Sequence, residues 1–161
     1  MKLYSMEFDG SVLQRGFWLY VWRVVSADRE VLYVGRTGDS SSANASSPFR
    51  RIGQHLEDRA NAKGNALARQ LGRCEIDPKR CRFSMAAIGP LFPEQLDFES
   101  HKVYRDRTGA LERELALWLS DRGYEVLGIH HSRVEADPEQ FAEIVALLSP
   151  TFPIAGCGEA Q

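Results

Sequence analysis

Residues 17–35 of the chain read FWLYVWRVVSADREVLYVG, two apolar segments joined by a short polar one. The segments at 17–26 and 31–35 are rich in aromatic and β-branched residues, which favour strands. The connection at 27–30 is polar, and so short a connection favours antiparallel pairing, because parallel strands need a long crossover. The sequence therefore predicts a β-hairpin near the start of the fold.

The remaining elements are predicted from helix caps, chain breakers and apolar spacing. We expect a polar, flexible, exposed loop over 37–47, helices over 48–61, 66–71, 98–122 and 138–148, a third strand over 82–88 ended by Gly89-Pro90, and a short last strand over 124–129. This order indicates an α/β protein of the α+β type. We expect one domain over 1–150 and a flexible C-terminal tail over 151–161.

The composition is that of an ordinary globular protein. The chain has 161 residues, 43% hydrophobic and 26% charged, with a net charge of -2. No apolar run approaches the ~20 residues that a membrane-spanning helix needs, so we expect no membrane association. The cysteines number 3 and have no C-x-x-C spacing, which favours reduced thiols and a cytoplasmic protein.

The small net charge hides an uneven distribution. Residues 48–82 carry nine Lys and Arg against four Asp and Glu, whereas residues 94–161 carry six against thirteen. The basic middle of the chain can face phosphate groups while the acidic C-terminal part faces away. A solvated helix surface explains the same pattern equally well, so the charge alone leaves the two interpretations open.

Four side chains near the hairpin and one farther on have the chemistry of phosphodiester hydrolysis. Tyr20 and Tyr33 lie on neighbouring strands, although the sequence leaves open whether they share a face. Arg51 and His55 are four positions apart on a helix and project from one side of it. Glu112 lies along an apolar stripe, where a carboxylate needs a partner such as a divalent cation.

Each of these residue types can contribute to cleavage of a phosphodiester. A carboxylate holds Mg²⁺ or Mn²⁺, and the remaining metal positions take water and phosphate. Arginine offers a fixed fork of donors for phosphate oxygens. A tyrosine whose pKa is lowered by a nearby cation can act as a general base, and a histidine can transfer a proton.

The chain resembles the GIY-YIG nucleases over residues 17–127. The resemblance is carried by four short segments, with Trp18 where the family usually has glycine and Glu125 at the place of a common asparagine: Leu19-Tyr20-Val21, Tyr33-Val34-Gly35-Arg36-Thr37, Phe49-Arg50-Arg51-Ile52-Gly53-Gln54-His55 and Ala110-Leu111-Glu112-Arg113-Glu114-Leu115. The resemblance implies a small three-stranded antiparallel sheet flanked by helices. It also implies a metal-dependent endonuclease that hydrolyses phosphodiester bonds in DNA.

The resemblance implies a role for each matched residue. Glu112 would bind Mg²⁺ or Mn²⁺, with Glu114 as the alternative ligand, and Arg51 would contact the scissile phosphate. Tyr20 would be the first candidate for the general base, and Tyr33 and His55 would support water and proton movement. The residues against the substrate would be Gly35, Arg36 and Arg50.

The alternative function is a non-catalytic nucleic-acid- or protein-binding module on the same fold, which Trp18, Glu125 and the low pI favour. The sequence shows no separate DNA-reading domain, so specificity would come from a loop such as 37–47, from a homodimer or from an accessory partner. A zinc site is the weakest alternative, because the spacing of its four possible ligands fits no familiar pattern: Cys74, Cys81, His130 and His131.

Overall fold

The computed structural model describes residues 1–39, 43–57, 59 and 61–155. Its elements follow in the order of a 3-10 helix Gly10–Leu13, β1 Phe17–Val25, β2 Glu30–Arg36, α1 Pro48–His55, α2 Ala66–Arg73, a 3-10 helix Pro78–Arg80, β3 Arg82–Phe92, α3 Phe98–Asp121, β4 Val126–Leu127 and α4 Pro138–Leu148. No helix in the described part of the chain is long and apolar enough to cross a membrane.

The strands form one sheet in the order β3-β1-β2-β4. The predicted hairpin is confirmed, since β1 and β2 are antiparallel and Tyr20 lies opposite Gly35. The expectation of three strands is wrong, because β4 pairs with β2 and runs parallel to it. This contact is only two residues long, and the sequence pattern did not indicate which strand it would join.

The third strand continues past its predicted end at Ile88. β3 extends through Gly89 and Pro90 to Phe92, which lies opposite Phe17 of β1. Proline is tolerated here because β3 is an edge strand and needs no second row of N–H donors. Gly89 has a φ of 145°, and a side chain there would lie 2.8 Å from the Trp18 ring. Trp18 is therefore a core residue beside this edge.

Three of the four α-helices in the described part of the chain begin at a side-chain cap, and α1 is shorter than expected. The side chains of Ser47, Asp97 and Asp137 accept backbone N–H groups at the starts of α1, α3 and α4. α1 ends at His55 instead of near residue 61. The carbonyl of Glu57 accepts a hydrogen bond from the Asn65 side chain, so this end is stabilised without a further helical turn.

Both faces of the sheet are covered, which explains the continuous apolar run of β1. On one face, side chains such as Leu19 and Val34 pack with Leu111 and Leu115 of α3 and with α4. On the other face, Tyr20, Trp22 and Val31 pack with Leu67 and Leu71 of α2. Because side chains alternate along a strand, the register places Tyr20 and Tyr33 on this second face together.

The loop and the tail are more strongly packed than the sequence suggests. In the loop, Thr37 and Ala45 are fully buried, whereas residues 40–42 lie outside the described part. In the tail, Phe152 is 1% exposed and packs in the core with Tyr124. The packed region therefore extends past the predicted boundary at residue 150, and the rest of the predicted tail, 156–161, lies outside the described residues.

Phe152→Ala tests this packing. We expect the substitution to lower the free energy of unfolding by about 3–5 kcal/mol, because it removes a buried ring and leaves a cavity. Ile154→Ala is the control, since Ile154 is 53% exposed and its truncation should cost little. Urea unfolding measures both variants. Equal stability of the two would show that residues 151–155 contribute nothing to the core.

Candidate functional site

The buried hydroxyl of Tyr20 is the centre of the site. Tyr20 is fully buried, and its hydroxyl donates a hydrogen bond to the Arg36 carbonyl at 3.0 Å. His55 Nε2 lies 2.6 Å from the same oxygen, and Arg51 Nε donates to it at 3.4 Å. Residues from β1, β2 and α1 therefore meet at one atom.

The number of protons at this oxygen determines the tautomer of His55. A phenol has one proton to donate and can accept two hydrogen bonds. If the Tyr20 proton goes to the Arg36 carbonyl, the contact with His55 is satisfied only when Nε2 carries the imidazole proton. This arrangement satisfies every group around the Tyr20 oxygen. It leaves His55 Nδ1 as a buried lone pair without a partner in the described part of the chain.

Gly35 makes room for the Tyr20 ring. It lies directly opposite Tyr20 across the β1–β2 pair. A Cβ at position 35 would lie 2.8 Å from the Tyr20 Cζ and closer still to Cε2, which is nearer than real side chains approach. Since the ring is buried on all sides, it has nowhere to move. Gly35 therefore has a structural role at the site, whereas the sequence predicted a contact with substrate.

The buried side chains at this centre are electrically neutral. Burial raises the pKa of the Tyr20 phenol well above its usual value. Burial, with a smaller effect of the nearby Arg51 charge, lowers the pKa of His55 to about 3. The charge of Arg51 acts in the opposite direction on the pKa of Tyr20, but burial outweighs it. The assignment of Tyr20 as the general base stays a prediction.

Arg51 is the cation of this half of the site. Its guanidinium forms an ion pair with Asp39 at 3.0 Å and donates to the Gln54 side chain at 3.2 Å. The side chain is 13% exposed. Arg51 and His55 thus project from the same side of α1, as their spacing predicts. Asp39 was not predicted, and its only signal was a carboxylate shortly after Arg36 in the loop that follows β2.

Tyr33 lies between the two halves of the site. Its ring centroid is 5.3 Å from that of His55 and 6.4 Å from that of His130. Burial, followed by the negative charge of Glu112, raises the pKa of Tyr33 to about 12. The Tyr33 hydroxyl has no hydrogen-bond partner among the described residues, and the side chain is only partly buried. Tyr33, unlike Tyr20, therefore offers a protonated phenol to a ligand.

Glu112 forms the other half of the site. One of its carboxylate oxygens lies 3.1 Å from Arg36 Nε, and the other lies 3.8 Å from His130 Nδ1. The side chain is 16% exposed. Arg36 also donates from Nη1 to the Arg105 carbonyl, so its guanidinium is held against α3. His130 was considered from sequence only as a zinc ligand, because the pairing of β4 with β2 was not foreseen.

The donor set around Glu112 fits a hard divalent cation held mostly by water. The described residues contain no cluster of three or more His, Cys, Asp or Glu side chains that could hold a metal. This excludes an all-protein cage for those residues. Mg²⁺ commonly binds through one or two carboxylates and keeps several water ligands, so Glu112 alone suffices. The oxygen that faces His130 is the available ligand, since the other faces Arg36.

The other residues that the sequence singled out lie apart from this cluster. Glu114 pairs with its neighbour Arg113. Glu125 pairs with Arg29 at the β1–β2 turn, at the opposite end of β2 from Arg36. Arg50 is exposed on α1.

His101 anchors the chain segment that follows β2. It is fully buried, and its Nε2 lies 2.9 Å from the Gly38 carbonyl. Its ring also contacts Phe17, with centroids 5.0 Å apart. This contact joins α3 to the chain segment that follows β2, and so it helps to hold the loop between Arg36 and Asp39 in place.

No family model, curated protein or solved structure matches this chain. The resemblance to the GIY-YIG nucleases therefore rests on the sequence segments themselves.

Gly35→Ala tests the close packing around Tyr20. We expect a loss of about 1–3 kcal/mol in the free energy of unfolding, because the added methyl group overlaps the fixed ring. Gly53→Ala is the matched control, since Gly53 lies in α1 with no atom within 4 Å of an added Cβ. That control should stabilise the helix by up to about 1 kcal/mol. Urea unfolding distinguishes the two, and an unchanged Gly35→Ala variant would contradict the packing described.

Proposed function

We propose that the protein is a metal-dependent endonuclease that hydrolyses phosphodiester bonds in DNA, on a GIY-YIG-like domain extended by the short strand β4. One observation carries the proposal: the Tyr33 ring lies 5.3 Å from the ring of His55, on the helix that carries Arg51, and 6.4 Å from the ring of His130, which faces Glu112. The phenol of Tyr33 thus lies between the helix that carries Arg51 and the residue that faces Glu112, although the sequence separates all three widely.

Arg51 would bind the scissile phosphate. Its guanidinium is held by the Tyr20 hydroxyl, Gln54 and Asp39. A fixed guanidinium loses little freedom when it binds phosphate oxygens in the bidentate geometry that suits them. Asp39 balances the charge of Arg51 in the free protein, and a phosphate can replace that carboxylate as its partner.

Tyr33 and Glu112 would serve the attacking water and the metal. Tyr33 is a phenol with a raised pKa and a free hydroxyl, so it would hold the water or the phosphate by donating a hydrogen bond. Glu112 would ligate Mg²⁺ or Mn²⁺, and His130 faces the same carboxylate. A metal bound there would supply a water of lowered pKa and neutralise charge on the phosphate.

Tyr20 and His55 would position these groups. Both are fully buried, so neither contacts a substrate directly. The segment 48–82 supports a nucleic-acid substrate. It carries a net positive charge and includes α1, the helix that carries Arg51.

A binding module is the second candidate, and one observation favours it. Glu112 is already paired with Arg36, so a metal would have to compete with an internal cation for the same carboxylate. A protein that uses this pair only as a structural link would bind nucleic acid through Arg51 without cutting it.

Glu112→Gln separates the two candidates. We expect this nearly isosteric change to abolish cleavage of supercoiled plasmid in Mg²⁺ or Mn²⁺, because an amide binds these ions far more weakly than a carboxylate. Glu114→Gln on the same helix is the matched control and should cleave like the unmodified protein, while EDTA should stop all cleavage. Full activity of Glu112→Gln would disprove the metal assignment. Absence of cleavage by the unmodified protein on plasmid, branched and single-stranded DNA would favour the binding module.

A further inference from the structure

A pocket of about 540 Å³ opens beside the candidate site, between the loop after β2, the helix α3 and the segment after β4. Its charged lining consists of Arg36, Arg105 and Arg133 together with Asp39 and Asp106. The volume falls in the range of about 300–1,000 Å³ typical of small-molecule sites. The pocket is therefore larger than a single phosphate group requires and can accommodate a nucleotide.

Two residues that line the pocket form ion pairs with residues of the candidate site. Asp39 pairs with Arg51, and Arg36 pairs with Glu112. A ligand in the pocket would therefore lie next to the partners of Arg51 and Glu112. A DNA strand with its scissile phosphate at Arg51 can therefore place the adjacent nucleotide in this pocket.

Gly109 gives Arg36 its place in the wall of the pocket. A Cβ at position 109 would lie 3.0 Å from the Arg36 Cζ and closer to Nη1, so only glycine lets the guanidinium lie against α3. Glycine in a helix interior costs about 1 kcal/mol relative to alanine. The close approach of the Arg36 guanidinium explains why this helix position is a glycine.

The charges of the lining favour an anion. Asp39 is neutralised by Arg51, and Asp106 is neutralised by Arg105 at 2.9 Å. Arg133 is exposed and has no ion-pair partner within the described residues. The pocket therefore contains the unpaired guanidinium of Arg133. It also contains the guanidinium of Arg105, whose only ion-pair partner among the described residues is the exposed carboxylate of Asp106. A phosphodiester matches both the sign of this charge and the fork of donors.

We propose that this pocket binds the nucleotide adjacent to the scissile bond on the strand that is cut, with Arg105 and Arg133 holding its phosphodiester. The proposal rests on the proposed function, since it specifies how the substrate strand is held there. In this arrangement Arg51 binds the phosphate that reacts, whereas Arg105 and Arg133 fix the register of the strand. Contacts of this kind position a nucleic acid without reading its sequence.

Binding of a fluorescein-labelled oligothymidylate, measured by fluorescence anisotropy in EDTA, tests the subsite without cleavage. Arg105→Gln and Arg133→Gln should each weaken binding about tenfold, as expected for the loss of one charge-assisted contact to phosphate. Each should also reduce the slope of log K against log salt by about 0.7, the value for one phosphate contact on a single strand. Arg105→Gln keeps the backbone carbonyl that receives Arg36.

Arg29→Gln is the matched control. Arg29 is exposed, lies in the β1–β2 turn outside the basic segment 48–82, and lines a different cleft at the opposite end of the sheet. It should bind the oligonucleotide as the unmodified protein does. Unchanged binding by both pocket variants would overturn the proposal, and so would an equal loss in all three variants, since that would indicate general electrostatic attraction. Urea unfolding of each variant confirms that the fold is intact.

The subsite and the nuclease function can fail separately. If Arg105→Gln and Arg133→Gln lose affinity but the unmodified protein cleaves no DNA, the subsite stands and the proposed hydrolysis fails. If the unmodified protein cleaves DNA but both variants bind the oligonucleotide normally, the hydrolysis stands and the subsite is refuted.

Discussion

The candidate site depends on the buried hydroxyl of Tyr20. A hydroxyl deep in a sheet-and-helix core is costly unless its hydrogen bonds are satisfied. Here the hydroxyl donates to the Arg36 carbonyl and accepts from Arg51 and His55, so it joins both strands of the hairpin to α1. The space for the ring exists only because Gly35 lies opposite. One polar atom thereby fixes the position of the helix that carries the proposed phosphate ligand.

Arg36 extends this organisation to the other half of the site. Its carbonyl receives the Tyr20 hydroxyl, while its guanidinium pairs with Glu112 on α3. The backbone and side chain of one residue therefore connect the hydrogen-bonded cluster with the proposed metal carboxylate. The same guanidinium lines the pocket beside the site, so the positions of Arg51, Glu112 and the proposed nucleotide subsite are coupled through a single residue.

Local sequence signals predicted much of this fold, and long-range contacts account for what they missed. The hairpin, the helix caps and the shared side of Arg51 and His55 follow from short spacings. The short strand expected over 124–129 gave no sign of its partner, so the pairing of β4 with β2 could not be foreseen, and without that pairing nothing indicated that His130 lies near Glu112. The register that pairs Tyr20 with Gly35 and the burial of Phe152 also depend on tertiary packing. The raised pKa of Tyr20 could not be predicted either, because burial, which outweighs the charge of Arg51, is a property of the tertiary structure.

The most direct test of this account compares Tyr20→Phe with Tyr33→Phe by urea unfolding. Each change removes one oxygen atom and keeps the ring. Tyr20→Phe should lower the free energy of unfolding by about 1–3 kcal/mol, because it leaves the donors of Arg51 and His55 without their acceptor. Tyr33→Phe should cost little, since the Tyr33 hydroxyl has no partner within the described part of the chain. A Tyr20→Phe protein as stable as the unmodified one would contradict the claim that this hydroxyl organises the site.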